Sequence, residues 1–266
     1  MVAMIDAVVQ QSQIYMTRIS KWKSKVSLNI EVGPYVLKLA ETQKEVISCF
    51  QLRHQVFYQE LSGKTKKTKL DFDDFDPICD HLIIVEQTTQ KIVGTYRMHS
   101  SNESNRFYTE TEFEMPRQMN CFRPSFVELG RACIHQDHRK GLVISLLWRG
   151  IVEYMNRTEA AYLIGCSSLK YNNTRQVALV YKYFEQKELL SSQIFKPQKA
   201  YQLSDFLFWL MVYSAGLNDK QIEEAEQLIP SLLKTYIKAG AKIASYPAYD
   251  KEFNCIDFIT ILKKSE

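Results

Sequence analysis

Apolar residues in this chain recur with two periods, a strand-like alternation and a helical step, and the switches between them mark out the elements. Tyr35, Leu37 and Leu39 alternate with Val36 and Lys38 as a first strand. The tetrapeptide T-Q-K-E at 42–45 is a capping box that opens a helix through about Leu61. Val46, Phe50 and Phe57 form the apolar stripe of that helix, and Arg53 falls on the same stripe. Its guanidinium faces inward unless the stem snorkels to the surface. Residues 62–80 read as a polar loop, and 81–86 with 91–98 as a hairpin turned through Thr88, Thr89 and Gln90. Further strands are expected at 126–134, 162–166, 242–246 and 255–262, and helices at 142–155, 174–187 and 229–239. The apolar run 206–217 reads as a buried helix, too short for the roughly 20 residues of a membrane span.

Hairpins mixed with crossovers imply an α/β (α+β) sheet. No internal repeat, low-complexity tract or Pro/Gly-rich linker divides the chain. The economical reading is one domain over 35–266, with a helical insertion around 188–228 and an N-terminal arm over 1–34. Arg18, Lys21, Trp22, Lys23 and Lys25 make residues 9–28 of that arm basic and amphipathic. A solvated lead-in helix is the first reading, and a peripheral contact with the inner membrane surface the second.

Composition narrows the classes. A chain of 266 residues with 45% hydrophobic content can bury a sizeable core. The net charge of +4 is modest, and the local cluster Lys64, Lys66, Lys67 and Lys69 suits an acidic protein partner better than nucleic acid. Six cysteines without paired spacing argue against a disulfide framework and against zinc, which places the protein in a reducing, cytoplasmic compartment. The start M-V-A-M-I-D has no cationic segment leading into an apolar core, so no secretion signal is read there. Ser167 and Ser168 lie outside any G-x-S-x-G elbow, no H-E-x-x-H occurs, and no metal is expected.

Charges within apolar elements need partners or a ligand. The set comprises Arg53, Asp73, Asp76, Asp80, Arg97, Glu128 and Arg131. At 134–144, I-H-Q-D-H-R-K-G-L-V-I places Arg139, Lys140 and Gly141 where a helix begins, and exposed N–H groups there attract phosphate. This turn resembles the pyrophosphate-binding loop of the Gcn5-related N-acetyltransferase superfamily, with His138 and Val143 departing from its first and last positions. The wider set R-x-x-V-F-Y, D-F-D-D-F-D, G-T-Y-R and E-L-G-R is similar to the acyl-homoserine-lactone synthase branch, with Arg53, Phe57, Asp73, Asp76, Arg97, Glu128 and Arg131 each on a family position. The tryptophan of that branch is missing from 61–69. A longer, ordered resemblance over about 35–262 is to the ornithine–acyl carrier protein N-acyltransferases. It rests on C-D-H-L at 79–82, R-A-C-I-H-Q-D-H-R-K-G, L-L-W-R-G-I, L-I-G-C-S-S-L at 163–169, P-S-L-L-K-T-Y-I-K-A-G-A and P-A-Y-D-K-E-F-N.

That resemblance implies a mixed, mostly antiparallel sheet flanked by helices, and transfer of a fatty acyl group, 3-hydroxylated or not, to the amino group of ornithine. The donor is an acyl-phosphopantetheine thioester on acyl carrier protein, in preference to acyl-CoA, with no bound cofactor. The alternatives are an autoinducer-type or glycine-type N-acyl amino acid synthase, and a non-enzymatic acyl-binding or membrane-acting protein. Glu128 is the candidate base, directly or through water, and an ion pair to an arginine is the rival role. A bulge at Gly130 would bring Glu128 and Arg131 together and free an N–H to polarise the thioester oxygen. Asp73, Asp76 or Asp80 would take the substrate ammonium, and Arg97 or Arg53 its carboxylate. Phe57 joins this substrate set. His81 reads first as a hydrogen-bonded structural histidine and second as a substrate contact. Arg139, Lys140 and Gly141 would hold the phosphopantetheine.

Overall fold

The computed structural model describes residues 17, 19, 22–63, 65–115, 125–139 and 141–264. In chain order the elements begin β1 (Asn29–Val32), β2 (Tyr35–Leu39), α1 (Gln43–His54), β3 (Asp80–Glu86), β4 (Lys91–Ser100), α2 (Thr109–Glu112), β5 (Phe113–Glu114), β6 (Phe126–Ile134) and α3 (Leu142–Arg157). They continue β7 (Tyr162–Lys170), α4 (Thr174–Gln186), β8 (Leu190–Pro197), α5 (Phe206–Val212), α6 (Asp219–Leu228), α7 (Ser231–Lys238), β9 (Lys242–Ser245), β10 (Ala248–Asp250) and β11 (Cys255–Lys263). The chain divides into two compact units interleaved in sequence. One holds the chain through His99 with Gly130–Thr158, the other Ser100–Leu129 with the chain from Glu159 onward. Crossings inside β6 and just after α3 leave no linker composition for a sequence reading to detect.

In the first unit β1 pairs antiparallel with β2, β2 with β3, and β3 with β4. Asn29–Val32 therefore belongs to the sheet and not to a separate arm; most of the arm's basic segment lies outside the described residues. The capping box of α1 is formed as expected. Thr42 Oγ1 accepts from the Glu45 N–H at 3.2 Å, and the Glu45 carboxylate accepts from the Thr42 N–H at 3.1 Å. After His54 the helix widens into a π-helical stretch, Gln55–Glu60. Val46, Cys49 and Phe50 of α1 pack with Trp22 and Ile83. α3 seats closely on its strands, since a Cβ at Gly150 would lie 2.7 Å from methyls of both Leu37 and Leu82.

In the second unit β7 pairs antiparallel with β11 along its length, β11 also with β9 and β10, β8 parallel with β9, and β5 antiparallel with β8. The first residues of β6 run parallel to β7, from Phe126↔Tyr162 to Glu128↔Ile164, where the ladder ends although β7 continues to Lys170. The 188–228 segment is not a purely helical insertion, because Leu190–Pro197 is a strand of this sheet. Its half-buried run carries no clean alternation that could announce it. The 206–217 segment forms a helix only as far as Val212, and that helix is not buried: Phe206 is covered, while Leu207 and Met211 are each 67% exposed.

Gly165 marks the tightest backbone approach, with a Cβ there falling 2.3 Å from the Leu129 carbonyl oxygen. Backbone yields less than a side-chain methyl. Gly165→Ala should therefore destabilise by more than about 3 kcal/mol and Gly150→Ala by about 1–3 kcal/mol. Urea unfolding of the two variants checks the order; equal midpoints would show that the Leu129 carbonyl moves freely.

Candidate active site

Six of the charged residues in the first unit form one alternating network. Arg53, on the inward stripe of α1, donates from Nε to Asp71 at 2.7 Å and from Nη1 to Asp76 at 2.6 Å. Arg97 of β4 donates from Nη1 to Asp73 at 2.6 Å and to Asp76 at 3.2 Å. Arg131 of β6 donates to the second oxygen of Asp73 at 2.8 Å. Three guanidinium groups thus face three carboxylates, and Arg53 is 1% exposed, so its head does not snorkel. Burial pushes the Asp73 carboxyl up, but the charges of Arg97 and Arg131 outweigh it and hold the group below its ordinary 3.8. Asp71 is lowered in the same way, burial opposed by Arg53 and Arg131. Burial lowers Arg53, and Asp76 and Asp71 reverse the shift, so this arginine stays charged.

The structure gives each of these expected site residues a definite place. Arg53 and Asp76, expected on the substrate's carboxylate and ammonium, hold one another deep in the unit, with balanced charge around them. Asp80, the other candidate for the ammonium, is engaged elsewhere, accepting from the Tyr154 hydroxyl at 2.7 Å and the Lys25 N–H at 3.0 Å. His81 is fully buried between Trp22 and Phe50, its Nε2 is 3.2 Å from the Asp76 carbonyl, and burial pushes its pKa down to about 4. A neutral, packed histidine is the structural role read first. Phe57 packs beside Leu52, Val56 and Cys133. Asp73 and Arg131, with side chains 22% and 16% exposed, form the more open end of the network. Asp71 is the member the sequence reading passed over, although it opens the same D-F-D-D-F-D run.

Glu128 lies in the second unit, 6% exposed, on the last rung of the β6–β7 ladder. Its carboxylate accepts from the Tyr108 N–H at 2.8 Å, the Thr109 N–H at 2.8 Å and the Thr109 hydroxyl at 2.7 Å. These donors stand at the start of α2, where helical N–H groups lack intrahelical acceptors. A helix of four residues has no period for sequence reasoning to find. The backbone irregularity expected at Gly130 falls one residue later, where Arg131 adopts a left-handed conformation at φ 51°.

Gly141, at φ 81°, precedes α3 without a side-chain cap, and the first turn of that helix carries no acid. Arg139 donates to Glu60 at 2.5 Å and to the Ile134 carbonyl at 3.0 Å, while remaining 46% exposed. Lys140 and Lys64 lie outside the described residues. Lys66 stands 4.3 Å above the Tyr58 ring, and Lys67 and Lys69 are exposed. A second group of acids, Glu112, Asp250 and Asp257, was not singled out from the sequence. Asp257 carried the available signal, an acid inside the apolar run of β11. Among the described residues no helix is long and apolar enough to cross a membrane.

The charge network generates a stability prediction. Asp76→Asn removes one carboxylate from beneath Arg53 and Arg97 and should cost about 3–5 kcal/mol, against less than about 0.5 kcal/mol for Asp74→Asn at the exposed position of the same loop. A carboxyl held below its ordinary value adds stability above that value and loses it as pH falls through the lowered one. Asp71 and Asp73 should therefore contribute fully above their ordinary 3.8 and progressively less below it. Urea titrations at pH 7 and pH 3 test both points; an Asp76→Asn chain as stable as the parent would mean that the ion pairs do not hold this unit.

A family model described as an acetyltransferase (GNAT) domain matches residues 52–149, the span from α1 to the middle of α3. L-ornithine N(alpha)-acyltransferase of Rhodobacter capsulatus is 25% identical over 240 residues, covering 86% of this chain and 89% of that one. The enzyme of the same name from Agrobacterium fabrum is 26% identical over 251 residues, covering 88% and 82%. Among solved structures, a CoA-dependent acyl-homoserine lactone synthase aligns over 84% of this chain and 78% of its own at 13% identity, with a TM-score of 0.46. With the mixed, mostly antiparallel pairing of the described strands, the family model and the two named relatives make the chain an acyltransferase carrying a GNAT-type domain.

Proposed function

We propose that this protein transfers a fatty acyl group from acyl carrier protein to the α-amino group of ornithine, giving an N-acylornithine, the single-chain precursor of an ornithine lipid. The observation that carries the reading is the similarity to four enzymes named L-ornithine N(alpha)-acyltransferase, each spanning 85–88% of this chain. In the reaction the amine nitrogen attacks the thioester carbonyl, the amide C–N bond forms, and the C–S bond breaks to release the phosphopantetheine thiol. The attacking amine must be neutral and sheds a proton as the bond forms, so a base is needed within reach or one water away. Glu128 has the placement for it, at the end of a strand ladder and held by three donors. In this reading, left-handed backbone at Arg131 frees a nearby N–H to polarise the thioester oxygen. Arg139, Lys140 and Gly141 hold the phosphopantetheine phosphate at the start of α3, where N–H groups are open. Arg97 and Asp73, at the open end of the network, contact the amino acid, and Phe57 lines its site. The protein acts in the cytoplasm.

Glu128→Gln keeps one acceptor oxygen for the Thr109 and Tyr108 donors but removes the base. Turnover with acyl carrier protein thioester and ornithine should fall roughly 10²–10⁴-fold, with the unfolding midpoint shifted far less than by Asp76→Asn. Mass spectrometry of N-acylornithine and urea unfolding provide the two readings, and full turnover in the variant would remove Glu128 from the chemistry.

The donor preference follows from charge. Acyl carrier proteins are acidic, and docking on Lys66, Lys67, Lys69 and Arg139 gains attraction that salt screens over a Debye length of about 8 Å at physiological ionic strength. The carrier protein thioester should be used far better than the matching CoA thioester, and the preference should shrink as salt rises. Charge reversal at Lys67 or Arg139 should weaken it too. Equal use of both donors at low salt would defeat the docking surface and leave acyl transfer standing.

A further inference from the structure

The second unit contains a buried acid group with no compensation like that of the first. Glu112, at the end of α2, is 0% exposed, and its Oε1 has no hydrogen-bond partner among the described residues. Its Oε2 lies 3.9 Å from the Cys166 thiol. Asp257 on β11 is 3% exposed, accepts a hydrogen bond from the Ser168 hydroxyl and has the Cys255 thiol 3.8 Å from Oδ2. Asp250 on β10 is 7% exposed and accepts from the N–H groups of Glu252 at 2.7 Å and Phe253 at 3.2 Å. Acceptor atoms of Asp250, Cys255 and Asp257 lie within 4.8 Å of one another. The charges acting most strongly on Glu112 are those of Asp257 and Asp250, both of its own sign. Burial first, and those charges second, push the Glu112 carboxyl up to about 9; burial first pushes Asp257 up to about 6.

Buried carboxylates so arranged hold a proton or call for a cation. A primary ammonium has three N–H donors to distribute and no acceptor. The cluster is also open to a ligand at its edge, because Ser168 is exposed and Cys255 and Tyr201 are half-buried. Its position matters as much as its charge. Thr109, whose N–H and hydroxyl hold Glu128, begins the same helical turn that ends at Glu112, and three residues of helix advance about 4.5 Å. The Cys166 thiol feels the charges of Glu112, Asp257 and Glu128 together.

We propose that Glu112, Asp250 and Asp257 form the subsite for the distal ammonium of a basic amino acid acceptor, and that this subsite sets the preference for ornithine over amino acids with apolar side chains. The inference rests on the acceptor reading given above and adds the residues that discriminate. An ammonium donates to Glu112 Oε1 and to the two aspartates, and supplies the positive charge that these buried carboxylates call for. A metal ion on Asp250, Cys255 and Asp257 fits less well. Burial and the neighbouring carboxylates push the Cys255 thiol up, against the thiolate a metal needs, and Glu112 lies outside that set.

Calorimetry decides the matter without turnover. Ornithine is compared with norvaline, which has the same carbon chain and no distal amine, with EDTA present, and with and without phosphopantetheine-bearing carrier protein. The wild-type chain should bind ornithine at least roughly ten-fold more tightly, and Glu112→Gln and Asp257→Asn should each cost ornithine roughly 10–100-fold while the ratio to norvaline shrinks towards one. Equal binding of the two by the wild-type chain, no ornithine binding in either condition, or an unchanged ratio in folded variants would overturn the subsite. So would a preference that EDTA abolishes and zinc restores, which would assign the cluster to a metal. Should a variant not fold, the wild-type ratio alone decides. If acyl transfer reaches no amino acid while the calorimetric ratio holds, the reaction reading fails and the subsite stands. N-acylornithine formed by a chain with no such ratio gives the reverse.

Discussion

The first unit depends on one constraint, that three guanidinium groups removed from water must each be met by carboxylates at hydrogen-bonding distance. Arg53, Arg97 and Arg131 come from regular elements, a helix and two strands, whose positions are set by backbone ladders and apolar packing. Asp71, Asp73 and Asp76 come from an irregular segment with little ladder of its own. The arginines therefore place the segment. A pair left incomplete in such surroundings is strongly destabilising, whereas the completed set roughly offsets its own desolvation. The network thus acts mainly as a condition on geometry. Asp73 is reached by both Arg97 and Arg131, and Asp76 by both Arg53 and Arg97, so displacing one aspartate disturbs two cations.

That logic bears on Arg53 and Asp76, whose charges meet one another within the unit. A charge inside an apolar stripe is visible in sequence, as at Arg53, Arg97 and Arg131, and the acids of the D-F-D-D-F-D run are visible as a cluster. Whether its partner is a ligand or another side chain depends on which segments meet, and no local period encodes that. Elements divide in the same way. The 81–98 hairpin, β6, α3 and α4 were legible because each sustains one period over several residues. β5, β10 and α2, of two, three and four residues, are too short to show any. α5 misled for the opposite reason: F-L-F-W-L-M-V is apolar on every side, so hydropathy reads burial, yet seven residues bury chiefly Phe206 and leave Leu207, Phe208, Met211 and Val212 outward.

The two acid groups of this chain look alike in sequence and differ in physical state. Asp71 and Asp73 are drawn below their ordinary range by guanidinium charge, whereas Glu112 is driven above it by burial and by the charges of Asp257 and Asp250, and Asp257 by burial and by the charge of Asp250. The first condition balances charge within the fold and leaves only its open end, at Asp73 and Arg131, partly exposed. The second is a standing cost to the fold, of the kind that concentrates at functional sites. Local charge balance therefore separates the two acid groups, which the density of acids, highest in the D-F-D-D-F-D run, does not.

The same reasoning reaches Glu128, which accepts from the Tyr108 N–H just before α2 and from the N–H and hydroxyl of Thr109 at its start. In the proposed reading these donors fix the position of a base that takes up a proton and releases it in each cycle. The turn that positions Glu128 also carries Glu112. In the proposed reading a cation drawn to Glu112 stabilises that turn, so acceptor binding and the placing of the base share one short helix. Four residues that no sequence period could announce would thereby connect recognition of the acceptor's far end to chemistry at its near end.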